Sequence, residues 1–457
     1  MIVVSRPDAG TIDTVFANLS ARMSWLSAHV RMSAMSPDHA GHRRLAVCRV
    51  SLNVSLLLLL ALAGCRKGAP PSAPGSNAYT ISPPEAPVTS STPVQTPGRE
   101  LSLSGYAVPP QINDGWRTDH IKSVELKTER IENLLAQIRD GTYKNIHSIL
   151  IVKSGRLVVE EYFPGQEEDG QHQVYQRDVR HGIHSATKSV TAILVGIAID
   201  QQRIAGVEGK VSALFPEYSD LLANTEKDAI CLKHLLSMTA GLSWDEWTLP
   251  YSDIRNDHVA MNRSADPVRY VFERPLVAPP GTKFNYSSGI TIALGEVVHK
   301  ATGLRVDEFA EQNLFNPLGI SDYRWLKYPN GVVQTGGGLY MRPRDMAKIG
   351  YLYLSGGRWQ GKQIVSESWI RESTTQQAPD RDYGYGWWLG RLHAGDRAVV
   401  TYGAQGRGGQ FILVLPELQM VAVFTGWNDG NGLGEQAFDM LQRFIIPAAL
   451  PTTTTFP

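Results

Sequence analysis

Residues 185–188, Ser185-Ala186-Thr187-Lys188, place a hydroxyl and an amine three positions apart. On a helix, positions i and i+3 share a face, so the lysine amine can approach the serine hydroxyl. A serine is a weak nucleophile until a neighbouring base withdraws its proton. A lysine becomes such a base when desolvation lowers its pKa. A helix N-terminus adds unpaired N–H groups and positive potential, which favour negative charge developing on a substrate. Alone, these four residues would equally suit a helix cap followed by a surface lysine. The continuation Ser189-Val190-Thr191-Ala192-Ile193-Leu194-Val195 argues for a buried helix, since such a run is hard to place at the surface.

A second candidate is Tyr286, in Pro280-Gly281-Thr282-Lys283-Phe284-Asn285-Tyr286-Ser287-Ser288-Gly289. A Pro-Gly turn leads to a tyrosine just before another helix-like run, and a tyrosine held among cations can share or take a proton. Tyr328-Pro329-Asn330 is a competitor, but it lacks the Pro-Gly-Thr lead-in and lies farther along the chain from Ser185. The third stretch is Tyr402-Gly403-Ala404-Gln405-Gly406-Arg407-Gly408-Gly409-Gln410. Glycines on a strand edge let substrate approach the backbone closely. A backbone N–H there, with that of Ser185, would form an oxyanion hole; an ordinary hairpin with a glycine-rich turn explains the stretch equally well.

These three elements, in this order, resemble the serine β-lactamase and penicillin-binding-protein superfamily, in particular class C β-lactamases and their esterase and amide-hydrolase relatives. Leu232-Lys233-His234-Leu235-Leu236-Ser237-Met238-Thr239-Ala240-Gly241-Leu242, Asn316-Pro317-Leu318-Gly319-Ile320 and Gly336-Gly337-Gly338-Leu339-Tyr340 are also family-like, and the resemblance spans about residues 106–448. It implies an acylated nucleophile at Ser185, with Lys188 and Tyr286 sharing the base and acid roles in either order. Two departures bear on substrate. Class C enzymes carry Tyr-x-Asn where this chain has Ser288, and a Lys-Thr-Gly third motif where the stretch around Gln405, Gly406, Arg407 and Gly408 has no lysine. Those positions help hold a β-lactam, so their loss weakens the antibiotic reading more than the acyl-transfer reading. The Tyr-Ser-Ser-Gly and Gly-x-Gly-Gly-Gln forms look closer to the branch containing 6-aminohexanoate-dimer hydrolase and carboxylesterases. Arg407 remains as a cation for a substrate carboxylate.

The elements that must position these residues follow from periodicity. Ile131, Leu134, Leu135 and Ile138 have helical spacing. Residues 148–152 and 156–162 read as strands joined by a Lys153-Ser154-Gly155 turn. Residues 185–199 read as a helix, and 207–380 as mostly helical with long loops. Strands return at 399–402, 411–415 and 420–424, and a helix covers about 435–446. Strands at both ends with helices between predict an α/β fold of the α+β type. The expected architecture is an antiparallel sheet flanked by helices with an inserted mostly helical region, which the resemblance implies is β-lactamase/transpeptidase-like, the site lying in the cleft between the two regions.

Composition narrows the partners. Lysine plus arginine and aspartate plus glutamate both total 44, so no basic field exists to attract nucleic acid. The three cysteines, Cys48, Cys65 and Cys231, are too few for a disulfide framework or a zinc cluster, and Cys231 reads as a small core residue. No H-E-x-x-H suggests a metal and no G-x-S-x-G elbow suggests an α/β-hydrolase. No cofactor is implied, and nothing in the sequence signals an oligomeric state. His181 and His184 precede the nucleophile but are not needed as bases. Trp244, Asp245, Glu246 and Trp247 would suit a pocket wall as well as a surface loop with two buried indoles.

The first hundred residues read as address and tether. An apolar run at 52–62 follows Arg43, Arg44 and Arg49, is too short to span a membrane, and ends in Leu62-Ala63-Gly64-Cys65. This resembles a lipobox, which implies lipidation at Cys65 and a membrane attachment through that anchor. Arg66 after the cysteine, where aspartate would favour inner-membrane retention, points to the periplasmic face of the outer membrane. The late signal fits initiation at Met32 or Met35. The expected organisation is a leader (1–65), a Pro/Ser/Thr-rich linker (66–105), a hydrolase domain (106–450) and a flexible tail (451–457). The expected reaction is two-step acyl transfer on small esters or amides, with β-lactams or D-amino-acid peptides as the alternative. A non-catalytic cell-wall binding lipoprotein is a further alternative, disfavoured because the acid-base groups are all present.

Overall fold

The computed structural model describes residues 106–429 and 434–451. The expected leader, the Cys65 lipobox, the linker and, apart from Pro451, the tail lie outside the described residues.

A six-stranded antiparallel sheet organises the chain. Its strands are β1 (Ile146–Lys153), β2 (Arg156–Tyr162), β3 (Trp388–Ala394), β4 (Arg397–Gly406), β5 (Gln410–Leu415) and β6 (Met420–Gly426), in spatial order β3-β4-β5-β6-β1-β2. The β1–β2 turn places Ser154 and Gly155 at positive φ, 50° and 75°, which matches the twist of a tight hairpin. Strands far apart in the sequence meet where β1 pairs with β6, Ile149 opposite Phe424 and Ile151 opposite Ala422.

Because strand side chains alternate, each strand feeds two cores. Leu150, Val152, Ile412, Val414, Val421 and Val423 face the larger one, which also takes in the helices of the inserted region. Ile149, Ile151, Leu413, Leu415, Ala422 and Phe424 face the other, closed by α1 (Thr128–Arg139) and the C-terminal helical stretch. Helix α2 (Thr187–Asp200) is buried from Thr187 to Ala198, as expected of a helix apolar on several sides. It packs against α3 (Ser288–Thr302), and α4 (Pro343–Leu354) lies on β5 and β6.

A buried ion cluster ties the outer segments down. The Arg344 guanidinium on α4 donates to both Glu160 carboxylate oxygens on β2, at 2.7 and 2.6 Å, and to Asp114 at 2.8 Å. The expected helices and central strands are present. Unexpected are the edge strand β3, the pairing of His181–Gly182 and Tyr323–Trp325 on either side of Leu339–Met341, and a π-helical segment Leu441–Ile445 within the last helix. Cys231 is half-buried at the N-cap of a short helix, not a core residue, because its backbone begins the helix at the rim of the apolar layer.

Candidate active site

Ser185 occupies a 3-10 turn, His184–Ala186, that runs straight into α2. His184 has φ +46°, a left-handed conformation uncommon for a residue with a Cβ and one often met at functional sites. The Ile183 N–H bonds to the Leu339 carbonyl at 2.9 Å, and the turn closes through the Ala186 N–H to the Ile183 carbonyl at 3.1 Å. One helical turn on, the Lys188 Nζ reaches back to the Ser185 Oγ at 3.0 Å.

Lys188 is 3% exposed, and its amine has two further partners. These are the Ser288 Oγ at 2.8 Å and the Gly336 carbonyl at 2.6 Å. Desolvation brings its pKa down to about 8, with Glu246 pulling the other way. Roughly a tenth of the amine is therefore neutral near pH 7, far more than in an exposed lysine.

Tyr286 sits just before α3, whose first turn is capped by the Ser287 side chain accepting from the Ile290 N–H. The preceding segment is held by the Asn285 side chain donating to the Leu242 and Trp244 carbonyls, both at 3.1 Å. The Gly281 N–H bonds to the Thr239 carbonyl at 2.8 Å, and Gly281 takes φ +84°, a turn conformation that favours glycine. The Tyr286 ring lies between Trp247, stacked at 4.8 Å, and Trp388 at 6.0 Å. Burial raises the phenol well above its ordinary value, and the nearby Glu246 charge adds to this, while a hydrogen bond with Ser185 acts in the opposite direction. Tyr286 is thus a neutral phenol beside a neutralisable amine. Tyr328, the competitor, is buried elsewhere and donates to the Asn262 side chain at 2.6 Å.

The end of β4 runs along the turn that holds Ser185. A Cβ on Gly406 would lie 2.2 Å from the Ile183 carbonyl oxygen, so only glycine allows this approach. Gln405, Gly406, Arg407 and Gly408 line one side of an open cleft of about 580 Å³ with Ser185 on its surface. Trp247, Tyr251, Tyr286 and Trp388 line the cleft as well. Its size and aromatic lining suit a small organic molecule. Arg407 is not free: it pairs with Asp429 and, at 3.3 Å, with Glu168, while stacking 4.7 Å from the Tyr251 ring.

Ser288 does not line the cleft. It is 3% exposed, beneath Lys188, and its hydroxyl bonds to the Glu246 carboxylate at 2.8 Å. Trp244 and Trp247 part company, the first buried and the second 57% exposed. His181 and His184 are held neutral, their pKa values lowered to about 3 and 4 chiefly by burial. The sequence reading missed the role of Glu246 as an anchor and missed Trp388 and Asp429. A carboxylate between two tryptophans was the available signal for Glu246, since a charge buried among indoles must be satisfied by donors.

The beta-lactamase family model matches residues 144–435, most of the described domain. The chain belongs to the beta-lactamase family. It is a serine hydrolase of the beta-lactamase-like superfamily, whose relatives include amidases and esterases. It is 27% identical to a 6-aminohexanoate-dimer hydrolase of Paenarthrobacter ureafaciens over 314 residues, which cover 62% of this chain and 73% of that protein. A lovastatin esterase of Penicillium rubens is 27% identical over 208 residues, 41% of this chain and 50% of its own length. The fold is similar to that of a penicillin-binding protein homologue from Caulobacter crescentus. The TM-score is 0.54 at 17% identity, covering 70% of this chain and 96% of that structure. Ser185 thus sits at the N-terminal mouth of α2, which is buried in the larger core, and the end of β4 and the start of α3 meet it there.

Proposed function

We propose that Ser185 is the nucleophile, Lys188 the first base and Tyr286 the acid for the leaving group in hydrolysis of small carboxylic esters and amides. The observation that carries this reading is the Lys188 amine, desolvated and 3.0 Å from the Ser185 hydroxyl. The Ser185 Oγ attacks the substrate carbonyl and its proton passes to Lys188. The oxyanion collapses, the bond to the leaving oxygen or nitrogen breaks, and the leaving atom takes the Tyr286 proton. Tyr286 is reprotonated from Lys188, which leaves an acyl-Ser185 ester and a neutral pair. Water then repeats the sequence as nucleophile, and the acid is released. Backbone N–H groups of Ser185 and the β4 edge serve the oxyanion.

The aromatic lining of the cleft and the dimer hydrolase and esterase among the relatives support ester and amide substrates. Against a β-lactam stands the absence of a lysine around Gln405–Gly408, where only the paired Arg407 is cationic. The test is incubation with p-nitrophenyl butyrate, a fluorophosphonate and a fluorescent penicillin, beside Ser185→Ala. Ester turnover and fluorophosphonate labelling that vanish in the variant support the reading, and a silent penicillin channel selects the ester or amide branch. Equal behaviour of wild type and variant with every probe sinks it in favour of a binding protein. We also propose export as a lipoprotein anchored through Cys65 at the outer membrane. Labelled palmitate incorporated into the wild type and lost in Cys65→Ser tests this, and no incorporation into either refutes it.

A further inference from the structure

Glu246 is 3% exposed, lies outside the cleft, and has no part in the reaction drawn above. A buried carboxylate must be met by donors, and this one is met by four. Its Oε2 accepts from the Trp244 indole at 2.6 Å and from the Ser288 backbone N–H at 2.7 Å. Its Oε1 accepts from the Ser288 hydroxyl at 2.8 Å and the Tyr251 hydroxyl at 3.4 Å.

Proton counting then fixes a direction. A carboxylate only accepts, and a hydroxyl carries one proton. The Ser288 proton points at Glu246, so the Ser288 oxygen can only accept from the Lys188 amine, 2.8 Å away. The Gly336 carbonyl, an acceptor by nature, takes a second amine proton at 2.6 Å. A neutral amine has two protons and one lone pair. With both protons engaged, the lone pair is left facing the third neighbour, the Ser185 hydroxyl at 3.0 Å. We propose that Glu246 is a positioning residue for acyl transfer: acting through Ser288, it orients the Lys188 amine so that its lone pair faces Ser185. The inference rests on the reading of Lys188 as the base for Ser185.

The groups around the amine give the inference a signature beyond packing. They are Glu246, Tyr286 before α3, His184 before α2, and His258 on the helix Asp257–Asn262. Burial holds both histidines and the phenol in their neutral forms, so Glu246 is the anion among them. Its charge holds the Lys188 pKa up against desolvation. Removing that charge moves the acidic limb of the activity profile to lower pH even as the amine loses its orientation. A residue that merely anchors the loop would reduce activity or stability without moving the limb.

The experiment measures p-nitrophenyl butyrate hydrolysis by the full chain across about pH 6–10 for wild type, Glu246→Gln, Ser288→Ala, the double variant and Ser185→Ala. Thermal unfolding establishes which variants fold. Glu246→Gln is expected to lower kcat about 10- to 100-fold, part of the roughly 10²–10⁴ a positioned base supplies. KM should stay within about threefold, and the acidic limb should shift down. In the Ser288→Ala background the same substitution should add little further loss of kcat. A folded Glu246→Gln with wild-type kcat, an unmoved limb, or an equal loss with and without Ser288 overturns the inference. If Glu246→Gln does not fold, Ser288→Ala decides alone: kcat should fall comparably with the limb in place, and wild-type kcat refutes the relay. Turnover persisting in Ser185→Ala instead overturns the reading beneath it.

Discussion

The Lys188 amine lies 4.8 Å from the centroid of the Tyr286 ring. Burial acts on both, lowering the amine and raising the phenol, so the same desolvation favours the uncharged form of each. The proposed base and acid thus stand side by side, neither needing an external proton to begin.

This pairing sets the pH dependence. Lys188 accepts a proton only when neutral, so kcat/KM for a neutral ester should rise with pH and level off above about 8. Tyr286 remains protonated through the ordinary phenol range, so no fall near pH 10 should come from it. Lys188→Ala should remove the acidic limb and about 10²–10⁴ of the rate. A wild-type profile flat across the acidic limb would refute Lys188 as the base.

Trp247 stacks on Tyr286 yet is 57% exposed, so it contributes to the cleft more than to the core. Trp247→Ala should raise KM for an aryl ester about 2- to 10-fold, the equivalent of an aromatic pair worth about 0.5–1.5 kcal/mol. The unfolding midpoint should hardly move. Steady-state kinetics and a thermal melt check both halves.

Gly406→Ala would force a Cβ to within 2.2 Å of the Ile183 carbonyl. The strand and the nucleophile's turn must separate, at a cost of about 1–3 kcal/mol in overpacking. Fluorophosphonate labelling of Ser185 should slow strongly while far-UV circular dichroism is retained. Wild-type labelling would show that this contact does not position the serine.

Arg407 faces the cleft but is already paired with Asp429 and Glu168. Arg407→Ala should lower kcat/KM for an anionic ester by less than about tenfold, since the partly exposed charge is screened and its acidic neighbours offset it. A neutral ester should change less. Anionic and neutral kinetics left equally unchanged would remove Arg407 from substrate recognition.

Arg344→Ala would remove the bidentate partner of the buried Glu160 carboxylate, leaving it the Tyr162 hydroxyl at 2.7 Å and the more distant Arg177 at 3.5 Å. Breaking one partner of a buried pair costs about 3–5 kcal/mol. Urea unfolding should show that loss, with little change in KM because the pair lies outside the cleft.

The amino-acid sequence by itself determined the serine, lysine and tyrosine, and the helices and central strands that carry them. The reason is local: helical spacing joins Ser185 to Lys188 within one turn, and the near-continuous apolar runs of β1, β5 and β6 mark strands buried on both faces. The glycine-rich 403–409 stretch was legible as a strand edge beside the site. Tertiary structure alone decided the rest, because those contacts join segments that no periodicity links. Ser288 and Gly336 meet Lys188 across 100 and 148 residues. Glu246 reaches Ser288 across 42, which turned a motif position expected to touch substrate into a buried relay. Arg407 had its carboxylate partners chosen by the fold, one of them 239 residues away. Burial of the amine and the phenol, on which the proposed base and acid roles rest, exists only once the larger core closes around them.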